Sequence, residues 1–354
     1  QEVVEGKQYK LTILPTFACN FHCWYCVQHH KRESMTDEVV DLVKRHVQYM
    51  VEKERIESLS LEWFGGEPLL GFEKVIEPIT SYAKGICDHW NIPFSTGMTT
   101  NGYLFNREIL ERMKPLNMVG CQITLDGLRE YHDQTRVAPH KSSFDGILER
   151  VNLICEILEN AYVTLRINYD DKNFDPDLLL SQINERVDEK YKNRIYLLLR
   201  KVWQVKASEE NRLKNIQFVQ EAKRLGFRIS SSTFLNMNYV RCYANRKYYN
   251  TIAPDGGIYK CTAKDDYSKD AYGRIKPNGE INWSMPDFEK RYFGYRPFEN
   301  KECAHCKYLP LCWNNCPRDF ELSGLESLPD RCVKSRQNDL SFEEAILEYC
   351  ELNN

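Results

Sequence analysis

The chain has 354 residues, with 48 Lys and Arg against 51 Asp and Glu, a formal charge of −3. That balance argues against a strongly basic nucleic-acid or anionic-membrane binder, and 42% hydrophobic with 28% charged residues is an ordinary globular composition. No apolar run reaches the ~18 residues of a membrane span, and the start of the chain lacks the basic and apolar regions of a signal peptide. A cytoplasmic setting without nucleic-acid or membrane partners is therefore expected. The length suggests two domains, or one large α/β domain with an appendage.

From residue 9 to about 225, extended runs alternate with helical ones. Strands are predicted at 9–16, 58–65, 94–101, 120–127, 162–170 and 195–202. The first crossover helix is predicted over 35–51, where Val39, Val40, Val43, Val47 and Met50 fall at helical spacing. Thr36 caps it, and Asp37 and Glu38 sit in its first turn. Six strand–helix repeats of roughly 35 residues predict a parallel sheet with right-handed crossovers, an open, partial (β/α)6 relative of the eight-unit barrel. Polar and apolar residues alternate strictly in Gln122–Asp126 and again in Thr164–Asp170. With helices covering one face, Ile123, Leu125, Leu165 and Ile167 point outward. Gln122, Thr124, Asp126, Arg166, Asn168 and Asp170 then line a polar chamber; an exposed sheet face is the alternative.

After about residue 228 the helical rhythm fades and turn signals such as Ala253-Pro254-Asp255-Gly256-Gly257 multiply. A barrel domain over 1–228, a cysteine-rich domain over 229–334 and a short terminal helix over 335–354 are expected. Cysteine is the compositional outlier, with 14 in the chain. Without a secretory signal, metal ligation is favoured over a disulfide framework. Cys87, Cys121, Cys155 and Cys350 stand alone and are read as small buried hydrophobes.

Cys19, Cys23 and Cys26 give the spacing C-x3-C-x2-C just after the first strand. Three thiolates on one loop suit three irons of a [4Fe–4S] cluster and leave the fourth without a protein ligand. Structural zinc wants four ligands, and His22, His29 or His30 could supply one, so zinc stays open on spacing alone. The position at the carboxyl end of a barrel strand, where catalytic groups collect, favours the cluster.

With Tyr25 before the third cysteine, this motif resembles that of the radical S-adenosylmethionine (SAM) enzymes. Phe64-Gly65-Gly66-Glu67-Pro68 resembles their GGEP motif, and Thr99-Thr100-Asn101-Gly102 their TNG segment. Thr124-Leu125-Asp126-Gly127 with His132, Asp133 and Arg136 resembles their S-L-D-G…H-D-x-x-R stretch, threonine replacing serine. The resemblance implies that Gly65, Gly66 and Glu67 hold the SAM amino group and that Thr124 and Arg136 meet its carboxylate. It also implies SAM contacts from Tyr25, Thr99, Asn101, Asp126, Arg166 and Asn168. The chemistry implied is reductive cleavage of SAM to a 5′-deoxyadenosyl radical that abstracts hydrogen from an unactivated carbon.

Cys242, Cys261, Cys303, Cys306, Cys312, Cys316 and Cys332 resemble the seven cysteines of the SPASM domain, although zinc-ribbon ligation would fit part of the spacing. The resemblance implies an outer auxiliary [4Fe–4S] cluster on Cys303, Cys306, Cys312 and Cys332. An inner one would sit on Cys242, Cys261 and Cys316, making three clusters in all. The inner cluster is one ligand short, which leaves an iron for another side chain, substrate or solvent.

SPASM-type relatives chiefly modify peptides and proteins. The expected function is maturation of a ribosomally made precursor peptide, by a thioether, carbon–carbon or carbon–oxygen cross-link or by side-chain oxidation. An anaerobic sulfatase-maturing, formylglycine-generating enzyme is the alternative. Against it, Thr262 stands after Cys261 where that subfamily has an aspartate thought to act as base. Asp265 and Asp266 are nearby candidates for a base, read here as loop surface. A non-catalytic iron–sulfur or zinc scaffold is the alternative of another class. Expected partners are the precursor peptide, a reductant such as ferredoxin or flavodoxin, and a separate leader-binding protein if barrel and SPASM surfaces do not read the leader.

Overall fold

The computed structural model describes residues 6–26, 28–137, 142–170, 174–202, 209–230, 243–263, 267, 271–284 and 301–306. Its backbone follows the pattern of the sequence. The strands are β1 (Gln8–Ile13), β2 (Ser58–Trp63), β3 (Phe94–Thr100), β4 (Met118–Asp126), β5 (Tyr162–Tyr169) and β6 (Ile195–Lys201). Between them run α1 (Asp37–Glu52), α2 (Glu77–His89), α3 (Arg107–Met113), α4 (Arg129–Thr135), α5 (Ser143–Ile157) and α6 (Pro176–Arg186). Helix α7 (Glu209–Arg224) leads to a two-residue strand, β7 (Arg228–Ile229). All seven strands pair in parallel in chain order.

Helix α1 begins where Thr36 accepts a hydrogen bond from the Val39 amide at 3.4 Å. It buries Val40, Val43, Val47, Met50 and Val51, the stripe that its spacing announces. In the strands the period of two decides which side chains meet the helices. Leu59, Leu61, Trp63, Ile123, Leu125, Val163, Leu165 and Ile167 are all buried in the core between sheet and helices. Each such side chain is worth about 1.5–3 kcal/mol relative to exposure. The intervening polar residues occupy the other face, and residues of β1 and β6 line one cavity there. In a flat sheet those strands would be about 24 Å apart, so the sheet curls around its polar face.

The cysteine-rich part adds to this sheet. β8 (Tyr249–Ile252) pairs in parallel with β1 on the edge away from β2. β9 (Gly257–Tyr259), β10 (Gly273–Ile275) and β11 (Ile281–Trp283) follow as antiparallel neighbours. The result is an eleven-stranded mixed sheet in the order β11-β10-β9-β8-β1-β2-β3-β4-β5-β6-β7. A short helix, α8 (Lys301–Ala304), carries Cys303. Cys242, Cys312, Cys316, Cys332, Cys350, Asp265, Asp266 and the expected terminal helix lie outside the described residues. Cys87, Cys121 and Cys155 are buried in the core, as their isolation in the sequence implies. Among the described residues no helix is long and apolar enough to cross a membrane.

The two parts of the sheet are tied together by a buried histidine of α1. His46 is 1% exposed. Its Nδ1 donates to the Gly279 carbonyl at 2.7 Å, and its Nε2 accepts from the Tyr9 hydroxyl at 2.7 Å. The Tyr9 oxygen in turn accepts from the Asn250 amide at 3.0 Å. One imidazole thus joins α1, β1, β8 and the β10–β11 turn. Burial pushes its pKa down to about 4 from the ordinary 6.5, against the pull of the Gly279 carbonyl. Between these values the unfolded chain binds more protons than the folded one, so the contribution of this group is complete above pH 6.5 and is lost as pH falls towards 4. Denaturant titration of wild type and His46→Gln is expected to show a stability gap that shrinks by about 2 kcal/mol from pH 7 to pH 4.5. A gap independent of pH would contradict the neutral, doubly bonded imidazole.

Candidate functional site

The carboxyl ends of β1 to β6 surround a cavity of about 550 Å³, in the size range of small-ligand sites. Gln122 and Thr124 of β4 and Arg166 and Asn168 of β5 line it, as their alternation predicts. Thr99 lines it from β3, and Tyr25, Cys26 and Arg136 close it from above. The chamber also holds an ion pair that the motif reading missed, Lys10 Nζ to Glu62 Oε1 at 3.1 Å. The same alternation places both inward, since Tyr9, Leu11, Leu61 and Trp63 point to the core. A second wall comes from Tyr243, Tyr249, Thr262 and Ala263. Tyr249 shares hydrogen bonds with Thr12 at 2.9 Å and Thr251 at 3.1 Å, and Tyr243 with Thr262 at 2.7 Å.

The cysteine loop follows β1 directly. Phe21 anchors it in the core, edge-on to Tyr103 at 5.5 Å. Cys19 Sγ accepts the Phe21 amide at 3.4 Å, and the Cys26 amide donates to the Cys23 carbonyl at 3.1 Å. Burial pushes the Cys19 thiol up to about 11 and raises that of Cys23 as well, with Arg136 opposing both. Ligation would require both as thiolates, so their protons would be released as a metal binds.

Gly65 and Gly66 lie against the backbone just ahead of Cys19. A Cβ on Gly66 would sit 2.2 Å from the Ala18 carbonyl oxygen, and Gly65 has φ +135°. Their lack of side chains lets the Gly66 and Glu67 amides bond Thr16 and Ala18 at 3.2 and 2.8 Å. The close approach that these glycines permit is made to the chain just ahead of the cysteines. Glu67 is fully buried behind the cavity wall. Its carboxylate accepts from Leu69 N at 3.0 Å, Thr100 Oγ1 at 2.7 Å and Asn101 N at 2.8 Å. Of roughly four lone-pair positions one is left for the ammonium that the resemblance assigns to it. Asn101 sits beside it, its amide donating to Asn20 Oδ1 at 2.7 Å.

Tyr25 reaches from the loop to the ends of β4 and β5. Its hydroxyl donates to the Asp126 carboxylate at 2.8 Å and accepts from Arg136 Nη1 at 2.8 Å and Asn168 Nδ2 at 3.1 Å. Asn168 also donates to Asp126 at 3.1 Å and accepts from Arg166 Nε at 3.0 Å. Burial raises the Asp126 carboxyl, and Arg136, with Nη1 at 3.8 Å, pulls it back. His132, known from the sequence only as a motif letter, accepts the Asp126 amide on Nδ1 at 3.1 Å and meets Ser143 Oγ at 2.9 Å. Burial holds this ring neutral. It therefore clamps the end of β4 to the start of α5.

Of the second cysteine set, Cys261 lies beside the second wall. Tyr267 donates to its carbonyl and to that of Thr262, at 3.3 and 2.9 Å. Cys303 and Cys306 form a turn closed by the Cys306 amide on the Cys303 carbonyl at 2.9 Å.

Residues 13–176 match the sequence profile of the Radical SAM superfamily. The chain carries a radical SAM domain. A cysteine-type anaerobic sulfatase-maturating enzyme of Clostridium novyi (strain NT) is 23% identical over 341 residues, covering 86% of each chain. A GTP 3′,8-cyclase of Alkaliphilus oremlandii (strain OhILAs) is 30% identical over 149 residues, and the chain spans only 42% of it. Among solved structures, native anSMEcpe with bound AdoMet and Cp18Cys peptide superposes with a TM-score of 0.61 at 18% identity, over 97% of this chain and 95% of that one. That likeness is one of fold.

A radical SAM domain implies SAM and a [4Fe–4S] cluster, and the residues present fit both. The three cysteines of the loop are free thiols. Asn20 Nδ2 and Arg136 Nε are buried donors without a partner in the protein. Arg136 lines the chamber, where its guanidinium would suit an anionic group. Tyr25→Phe removes the shared hydroxyl and leaves Asp126, Arg136 and Asn168 short of a partner. Denaturant titration of the metal-free chain is expected to show a loss of about 1–3 kcal/mol, and the reconstituted chain should surrender iron to a chelator faster than wild type.

Proposed function

We propose that the protein is a radical SAM peptide maturase, which introduces a cross-link or oxidises a side chain in a ribosomally made peptide. The observation that carries the reading is the shared chamber. The three-cysteine loop, through Tyr25 and Cys26, and the segment just after Cys261, through Thr262 and Ala263, both line it, so a side chain in the chamber would lie near both. When bound, the reduced cluster and SAM would supply a 5′-deoxyadenosyl radical able to take hydrogen from that side chain. Arg136, Tyr25 and Thr124 line the part of the chamber next to the loop and would receive the polar end of SAM. Tyr249 and Tyr243, fixed through their hydroxyls, would hold the peptide side chain in place and keep water away.

Cys242, Cys261 and Cys316 would hold an inner auxiliary cluster, and Cys303, Cys306, Cys312 and Cys332 an outer one. The missing fourth ligand of the inner cluster leaves an iron that can take an electron from, or bind, the peptide after hydrogen abstraction. A ferredoxin- or flavodoxin-like protein would supply the reducing electron. Formylglycine generation is the second reading, favoured by the end-to-end relationship to the sulfatase-maturating enzyme. It is weakened at the chamber wall. There Thr262, bonded to Tyr243, replaces a carboxylate, and Glu62 is paired with Lys10.

Anaerobically reconstituted protein with SAM and dithionite is expected to release 5′-deoxyadenosine, and the Cys23→Ala variant none. A co-expressed precursor peptide should lose the mass of two hydrogens per bond formed, with its sulfur retained. Loss of sulfur from a cysteine would instead select formylglycine formation, and absence of 5′-deoxyadenosine would leave only a binding scaffold.

A further inference from the structure

We propose that His30 is a positioning residue for the cluster, donating a hydrogen bond from Nε2 to the Cys26 thiolate and so raising the reduction potential of the iron–sulfur site. The inference rests on the radical SAM reading. Cys26 is the exposed cysteine of the three, and its Sγ lies 3.4 Å from His30 Nε2. Cys19 receives a backbone N–H from Phe21, which no substitution of that residue's side chain removes. Cys26 receives its donor from a side chain instead.

The position of His30 is fixed from both sides. The chain just after it is stapled to the chain just before the cysteines. Phe17 N donates to the Glu33 carbonyl at 3.0 Å, Met35 N to the Pro15 carbonyl at 2.8 Å, and Thr16 Oγ1 to Glu33 O at 2.7 Å. Thr16 and Ser34 form an antiparallel bridge. The cysteine segment is thereby a closed loop with residues 17 and 33 at its neck. On the far side the His30 ring lies against His22, with centroids 6.3 Å apart.

The reduced cluster carries one more negative charge than the oxidised one. A donor on a ligating sulfur therefore stabilises the reduced form more, and hydrogen bonds to sulfur are among the terms that set cluster potentials. A neutral imidazole with its proton on Nε2 suffices. An imidazole nitrogen could also bind iron directly, so the test must separate donor from ligand.

An EPR-monitored redox titration of the reconstituted full chain, without SAM, reads the potential directly. His30→Phe is expected to lower the reduced-to-oxidised ratio at a fixed potential about 3- to 10-fold, the span of one ordinary net hydrogen bond. His30→Gln, which can present an amide N–H, should recover much of it. An unchanged ratio in His30→Phe overturns the proposal. Should the variants load poorly, wild type labelled with 15N-histidine decides alone. A weak 15N coupling to the cluster is expected across the hydrogen bond; no coupling, or the strong coupling of a bound nitrogen, overturns it. A chain that takes up no iron and sulfide overturns the radical SAM reading and this inference with it. An intact cluster indifferent to residue 30 overturns the inference alone.

Discussion

A tyrosine hydroxyl in the middle of the cysteine loop meets a carboxylate from β4, an amide from β5 and the guanidinium of Arg136. The loop has no regular secondary structure of its own apart from a turn at Trp24 and Tyr25. Fixing each of its residues costs about 1–2 kcal/mol in backbone entropy, and three thiols are useful only if they face one way. Phe21 in the core, the backbone contacts to Gly66 and Glu67, and the Tyr25 hydroxyl together offset that cost. The partners of Tyr25 are themselves buried, so none of them can be removed without stranding another polar group. That mutual dependence makes the loop part of the sheet rather than an appendage to it.

A similar economy joins the two halves of the chain. Thr12 and Tyr249 share a hydrogen bond although they are 237 positions apart in the chain. β8 extends the parallel sheet at β1, so the cysteine-rich segment is placed by ladder hydrogen bonds and not by metal alone. Lys260, 1% exposed, donates to the Arg246, Lys247 and Tyr249 carbonyls and fixes the entrance to β8 next to Cys261. Three carbonyl acceptors satisfy the three donors of a buried ammonium. The second wall of the chamber is therefore rigid where it carries a cysteine.

The six long strands were legible because each combines a β-rich run with a period of two, and their ends fall within three residues of expectation. The polar chamber was legible for the same reason at β4 and β5. Lys10, Thr12 and Glu62 carry the same signal in β1 and β2, where three-letter motifs nearby drew attention away from the pleat. β8 to β11 were not legible as parts of this sheet. Strands of three or four residues whose partners lie far off in sequence leave no local trace, and Tyr249 had no motif to mark it. Two adjacent glycines permit a close backbone approach, yet nothing in the letters Gly65-Gly66-Glu67 says whether a ligand or the chain itself comes close. His132 shows the same limit, since a clamp is defined by its two partners and not by its neighbours in sequence.

Charge explains why these parts belong together. Lys10, Arg136, Arg166 and Lys201 line the chamber, against the single carboxylate of Glu62. Burial lowers the pKa of Arg166 and of Arg200 behind it, and neighbouring guanidinium groups lower both further, the mark of cations held in poorly solvated company. Across the chamber mouth, burial raises the thiols of Cys19 and Cys23. Lys10 and Arg136 have partners in Glu62 and Asp126, yet cations outnumber carboxylates in the chamber lining. An iron–sulfur cluster would hold the cysteines as thiolates, and a SAM carboxylate would add a further anion. The two cofactors that the motifs imply would thus bring negative charge to a lining in which positive side chains predominate.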